Sequence, residues 1–185
     1  MALKESNMLP LGTEAPDFAL LDTVSGKEVR LESLQSDKAT VIMFTCNHCP
    51  YVLHINEELV KMSTEYMAKG VSFVAISSND VVNYPQDSPE KMKALAAEVG
   101  YPFPYLYDAT QVVAKAYDAA CTPDFYVFDG DLKLRYRGRL CASRPNTDVA
   151  VTGEDLRAAI DAIVEGKPAT EKQYPSAGCN IKWLK

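Results

Sequence analysis

Apolar and polar positions alternate between two periods along this chain. Asp17-Phe18-Ala19-Leu20-Leu21 and Glu28-Val29-Arg30-Leu31 flank a Ser25-Gly26 turn and predict strand–turn–strand. Thr40-Val41-Ile42-Met43-Phe44 is an unbroken run of β-forming residues, as expected of a strand covered on both faces. Beyond Pro50, apolar residues return every three or four positions at Val52, Ile55, Leu59, Met62 and Tyr66, one helical stripe that ends at Gly70. Val71 to Ile76 predicts a second buried strand, and Ser77 to Ser88 a polar loop. Pro89 opens a helix with Met92, Leu95, Ala96 and Val99 on one face, closed by Gly100. A short strand at 104–107, a short helix over Thr110 to Tyr117, a hairpin of 125–128 with 132–136, and a helix from Thr152 to Gly166 follow. The last 19 residues, 167–185, show no period and read as a tail. The order βαβαβαββα predicts an α/β fold with a central mixed sheet flanked by helices. With no linker or repeat to divide it, 1–185 is expected to be a single domain, with a core at 11–166.

Composition narrows the partners. A chain of 185 residues buries roughly 70% of its unfolded surface and needs no disulfide staples. The net charge is −6, with lysines and arginines scattered, so no basic face for nucleic acid or an anionic membrane is present. The first residues carry no apolar signal core, and no run approaches the ~20 apolar residues of a membrane span. The expected location is cytoplasmic. Five cysteines, three of them isolated at 121, 141 and 179, fit a reducing compartment better than a structural disulfide framework.

The chemistry gathers at Cys46-Asn47-His48-Cys49. Two cysteines two residues apart serve haem attachment, zinc or dithiol–disulfide exchange. Haem attachment requires His at position 50, which is Pro. A structural zinc site needs four ligands, and the remaining cysteines stand singly, with His54 the only other histidine. Redox exchange suits a pair between a buried strand and a helix, because unpaired N–H groups and the positive end of the helix dipole favour a thiolate. Cys46 is then the attacking sulfur and Cys49, one turn further, the resolving one. His48 either tunes the thiolate by charge or hydrogen bonding or is an incidental loop residue. His54, on a helix of ordinary composition, is a surface or packing residue.

Several segments together resemble the thioredoxin superfamily, in its alkyl-hydroperoxide-reductase/TSA-like, peroxiredoxin-like branch. They are Gly12-Thr13-Glu14-Ala15-Pro16-Asp17-Phe18-Ala19-Leu20, the strand to Phe44, Thr45-Cys46-Asn47-His48-Cys49-Pro50 and Cys121-Thr122-Pro123-Asp124. The similarity spans about Leu11 to Gly166. It implies a thioredoxin-like fold with an N-terminal β-hairpin extension and a C-terminal tail. It also implies a thiol–disulfide oxidoreductase needing no cofactor or metal. Substrates would be protein or small-molecule disulfides and thiols, with the thioredoxin system or another thiol reductant as electron donor. By resemblance, Thr122-Pro123 is a cis peptide that presents the Thr122 backbone to an extended substrate; read alone, it is an ordinary strand-opening proline.

Departures matter. Thioredoxin's Trp and Gly-Pro are replaced by Thr45 and Asn47-His48, and its buried acid by Thr40. An antioxidant thiol peroxidase is the alternative, yet the peroxidase pattern Pro-x-x-x-Thr/Ser-x-x-Cys is absent. Counting back from Cys49 meets Cys46 and Ile42, and from Cys46, Met43 and Ala39. A metal carrier using Cys46, Cys49 and one His is a weaker third. Cys121 and Cys179 are accessory thiols or packed side chains.

Overall fold

The computed structural model describes residues 3–168 and 170–185. Their elements run β1 (Leu3–Glu5), β2 (Ala19–Asp22), β3 (Glu28–Arg30), α1 (Leu31–Leu34), β4 (Thr40–Phe44), α2 (Pro50–Met67) and β5 (Ser72–Ser77). A 3₁₀ turn at Pro85–Asp87 leads into α3 (Pro89–Val99), then β6 (Tyr105–Tyr107), α4 (Val112–Ala116), β7 (Cys121–Thr122), β8 (Asp124–Phe128), β9 (Leu134–Gly138), α5 (Glu154–Val164) and β10 (Ala177–Asn180).

Seven strands form the main sheet in the order β3-β2-β6-β5-β4-β8-β9. β4 pairs parallel with β5 and antiparallel with β8, so it lies inside the sheet. All five of its residues are buried, which is why no polar position interrupts the run. Alternation sends Val41 and Met43 to one face, where they meet Ile55, Leu59 and Met62 of α2 with Leu156 and Ile160 of α5. Ile42 and Phe44 face the other side, against Val74, Ile76, Tyr117 and Tyr126. Each such side chain removed from water contributes about 1.5–3 kcal/mol before entropy is charged against it. The two layers hold the end of β4 rigidly, and the cysteine pair follows there.

The expected helix stripes are in place. Val52, Ile55, Leu59, Met62 and Tyr66 all face the core from α2. On α3, Ser88 caps the first turn by accepting from the Lys91 N–H, and Gly100 ends the helix at φ 80°. The hairpin near the N-terminus is β2 with β3, and it joins the main sheet through β6. No helix among the described residues is long and apolar enough to cross a membrane.

Two expectations need correction. The helix expected from Thr110 begins only at Val112, because Gln111 turns out at φ 62°. In that position its amide donates to the carbonyls of Ser78 (2.7 Å) and Lys182 (2.8 Å). The C-terminal segment is also more than a tail. Within it β10 pairs antiparallel with both β1 and β7, giving a second sheet in the order β1-β10-β7. These strands of three, four and two residues are too short to show a period; they exist because they pair.

Candidate functional site

β4 delivers the chain to the site, and Thr45 extends its pairing by donating its N–H to the Ile76 carbonyl at 2.9 Å. The chain then turns through Cys46-Asn47-His48 before Pro50 opens α2, with Cys49 as its N-cap residue. Asn47 is held on three sides. Its N–H donates to Asp87 Oδ1 (2.8 Å), its amide to the Gln86 carbonyl (2.9 Å), and its Oδ1 accepts from the Tyr105 hydroxyl (3.0 Å). His48 Nδ1 lies 2.7 Å from Asp87 Oδ2, a close polar contact without aligned hydrogen-bond geometry. The imidazole also stacks on Tyr84, with centroids 5.9 Å apart and planes at 5°.

Asp87 is a site residue that the sequence concealed. It is fully buried, and its Oδ2 also accepts from Asn79 Nδ2 at 2.8 Å. The one available signal was its place in a long polar segment after a buried strand, and such segments are commonly just loops. Asn79 in turn accepts from the Lys182 N–H at 2.8 Å, so the chain's end is wired to the site.

The sulfurs form a buried cluster of Cys46, Cys49 and Cys179 beside Val52 and Tyr51. Cys46 Sγ is 3.5 Å from the Thr122 hydroxyl, and Cys49 Sγ is 3.2 Å from the Thr122 carbonyl, to which a thiol proton would point. Cys49 Sγ and Cys179 Sγ are 2.8 Å apart. Cys46 and Cys49 also interact directly, and they divide their charge unequally. Cys46 is pushed well up, first by the Cys49 hydrogen bond, then by burial and the Asp87 carboxylate. Cys49 is pulled down to about 5, first by the Cys46 hydrogen bond, with help from Cys179 and from backbone N–H groups of Cys179 and Val52. The sequence expectation sets the helix N-terminus behind Cys46; in the structure Cys49 caps α2, and Cys49 is the thiol drawn down.

The Thr122-Pro123 peptide is cis, as the resemblance implied. Its edge, however, is not open to an incoming strand. β10 already occupies it, with Cys179 opposite Thr122 and Asn180 opposite Cys121. The protein's own C-terminal strand takes the place at which the resemblance would present the Thr122 backbone to an extended substrate. The fit is close, since a Cβ on Gly178 would meet the Thr122 carbonyl oxygen at 2.0 Å.

The remaining candidates separate cleanly. Cys121 is fully buried, its Sγ making long hydrogen bonds of 3.9 Å to the carbonyls of Pro123 and Ser176, and burial pushes its thiol up. His54 is half-buried and places Nε2 2.7 Å from Ser143 Oγ. Cys46, His48 and Asp87 each offer a ligand atom, all within 4.8 Å of one another, which makes three of the four donors a tetrahedral metal requires. The Asp87 oxygens, though, are already committed to Asn47 and Asn79.

Comparison with known proteins follows the same lines. The AhpC/TSA family pattern matches residues 11–137, well over half of the 185. The chain belongs to the AhpC/TSA family. An uncharacterized conserved protein of Geobacillus kaustophilus is 65% identical over 100% of this chain and 97% of its own, with a TM-score of 0.98. A hypothetical protein of Sinorhizobium meliloti is 45% identical over 97% and 98%, with a TM-score of 0.95. The thioredoxin domain of a thiol-disulfide oxidoreductase from Bacteroides vulgatus is 19% identical over 70% and 89%, with a TM-score of 0.60. That last likeness shows the fold alone, which is thioredoxin-like. No curated protein matches the chain. The family match ends at Arg137, so β10 and Cys179 lie outside it.

Proposed function

We propose that this AhpC/TSA-family protein is a thiol–disulfide oxidoreductase whose working pair is Cys46 and Cys49. The observation that carries the reading is the packing of two free thiols into one buried cluster at the end of a buried strand. Cys46 attacks one sulfur of an external disulfide, a Cys46–S bond forms, and the other half leaves as thiolate. His48, beside Asp87, takes the Cys46 proton, which the Cys49 hydrogen bond, burial and the neighbouring carboxylate otherwise hold on the sulfur. Cys49, already anionic at neutral pH, then attacks Cys46 Sγ. The Cys46–Cys49 bond forms and the second thiolate departs, so one disulfide is reduced to two thiols and the pair is oxidised. A thiol reductant or the thioredoxin system returns the pair to its dithiol form. The peroxidase alternative lacks its sequence pattern and has no favouring contact here.

Reduction of a chromogenic disulfide tests the assignment. Cys46→Ser should lower the rate by at least a hundredfold, and Cys49→Ser should accumulate a mixed disulfide on Cys46, visible as added mass. Undiminished turnover by Cys46→Ser would refute the reading.

A further inference from the structure

Cys179 has no part in that two-sulfur scheme, yet its Sγ stands 2.8 Å from Cys49 Sγ, about 0.8 Å beyond a disulfide bond. We propose that Cys179 is a third redox thiol of this site. The protein's disulfide then moves between Cys46–Cys49 and Cys49–Cys179, and β10 acts as a resident substrate on the cis-proline edge. The inference rests on the Cys46–Cys49 reading and extends it.

Three further observations carry it. Cys49 lies in one buried cluster with both other sulfurs, 2.8 Å from Cys179 Sγ, as the shared member of two alternative bonds must. β10 approaches as an extended strand paired antiparallel with β7, the geometry of a docked peptide. Its placement is also not accidental: the segment is anchored on both sides of Cys179. Ser176 exchanges hydrogen bonds with Ser6 at 2.9 Å and donates to the Gly138 carbonyl at 2.6 Å. Beyond Cys179, Ile181 is buried in the core, and Lys182 and Leu184 are held by Asn79 and Gln111. A strand anchored on both sides sets its sulfur beside Cys49.

The step balances without any outside reagent. Cys179 attacks Cys49 Sγ in the Cys46–Cys49 disulfide, the Cys49–Cys179 bond forms, and the Cys46–Cys49 bond breaks. Cys46 leaves as thiolate and receives the proton that Cys179 gives up, and no electrons enter or leave. Cys179 also borders a surface groove of about 330 Å³ beside Leu3, Pro50, Tyr51 and Pro145. That volume suits a small molecule, and the peptide-binding edge is already filled. The relay's external partner is therefore a low-molecular-weight thiol or disulfide: a small thiol attacks Cys179 Sγ and releases Cys49, and a second attacks the mixed disulfide and releases Cys179.

Oxidation of the full chain by hydroxyethyl disulfide, followed by acid quench and peptide mass mapping, tests this. Oxidised to equilibrium, Cys46→Ser should carry the Cys49–Cys179 link in most chains, formed at least a hundredfold more slowly than wild-type oxidation, and in Cys179→Ser only Cys46–Cys49 should form. Gly178→Val, which pushes β10 off Thr122, should cut the Cys49–Cys179 yield at least tenfold while leaving Cys46–Cys49 intact. Folded Cys46→Ser carrying only reagent-capped Cys49, or an unchanged link in Gly178→Val, would overturn the proposal. Absence of Cys46–Cys49 from oxidised Cys179→Ser would instead strike the pair itself, so the two failures are distinguishable.

Discussion

Three sulfurs packed into one buried cluster dominate the site. Cys49 is drawn down to about 5 because neighbouring S–H groups and the first turn of α2 turn toward it. Cys46 and Cys179, the latter pushed up to about 12 by burial and by Cys49, stay protonated. The reduced protein should show thiolate absorbance at 240 nm already at neutral pH, lost in Cys49→Ser. Linkage fixes the direction for stability. Between about 5 and an unfolded thiol value of roughly 8.5, the unfolded state binds the extra proton, so the folded state gains stability as pH rises. Above that range the sign reverses, because Cys46 and Cys179 hold protons that the unfolded chain has lost. Chemical denaturation of the reduced protein should therefore show a maximum between these arms. A flat profile, or one unchanged by Cys49→Ser, would contradict the charge assignment.

Among the elements, β8 fixes Thr122-Pro123 beside the sulfurs, and a buried ion pair secures it. Arg137 Nη2 on β9 donates to Asp124 Oδ2 at 3.0 Å and to the Asp118 carbonyl at 2.7 Å, with both ionic side chains wholly buried. Burial still pushes Asp124 up to about 7. Removing the cation should cost about 3–5 kcal/mol, because the carboxylate is then buried alone. For a chain of this size Arg137→Met should lower the thermal midpoint by roughly 10 °C. The double change Arg137→Met with Asp124→Leu should recover most of that loss in a calorimetric scan; no recovery would show that packing, not charge, dominates there. Such long-range pairs were invisible in the sequence, as was Asp87. By contrast β4, the α2 stripe and the cysteine pair were legible, because a buried strand, a 3.6-residue period and a two-residue spacing are local patterns. The cis proline was legible only through family resemblance. β1, β7 and β10 were not legible, because pairing between distant segments creates them.

For the whole molecule, the tail completes the site instead of merely covering the body. Asp87, Asn79 and the Lys182 backbone join His48 to the chain's last strand region, while Cys179 joins that strand to Cys49. Cys46 is only 1% exposed and Cys49 is wholly buried, with a surface groove beside Cys179 next to them. The account stands or falls on Cys46 and Cys49 exchanging two electrons as a unit. Equilibration of Cys179→Ser in thiol–disulfide buffers of stepped potential, with alkylation and mass readout at each step, measures this directly. Both thiols should lose alkylation together in a single transition of about 30 mV per tenfold change in ratio, as a two-electron couple requires. A Cys46 that remains alkylatable at every potential after unfolding would contradict it.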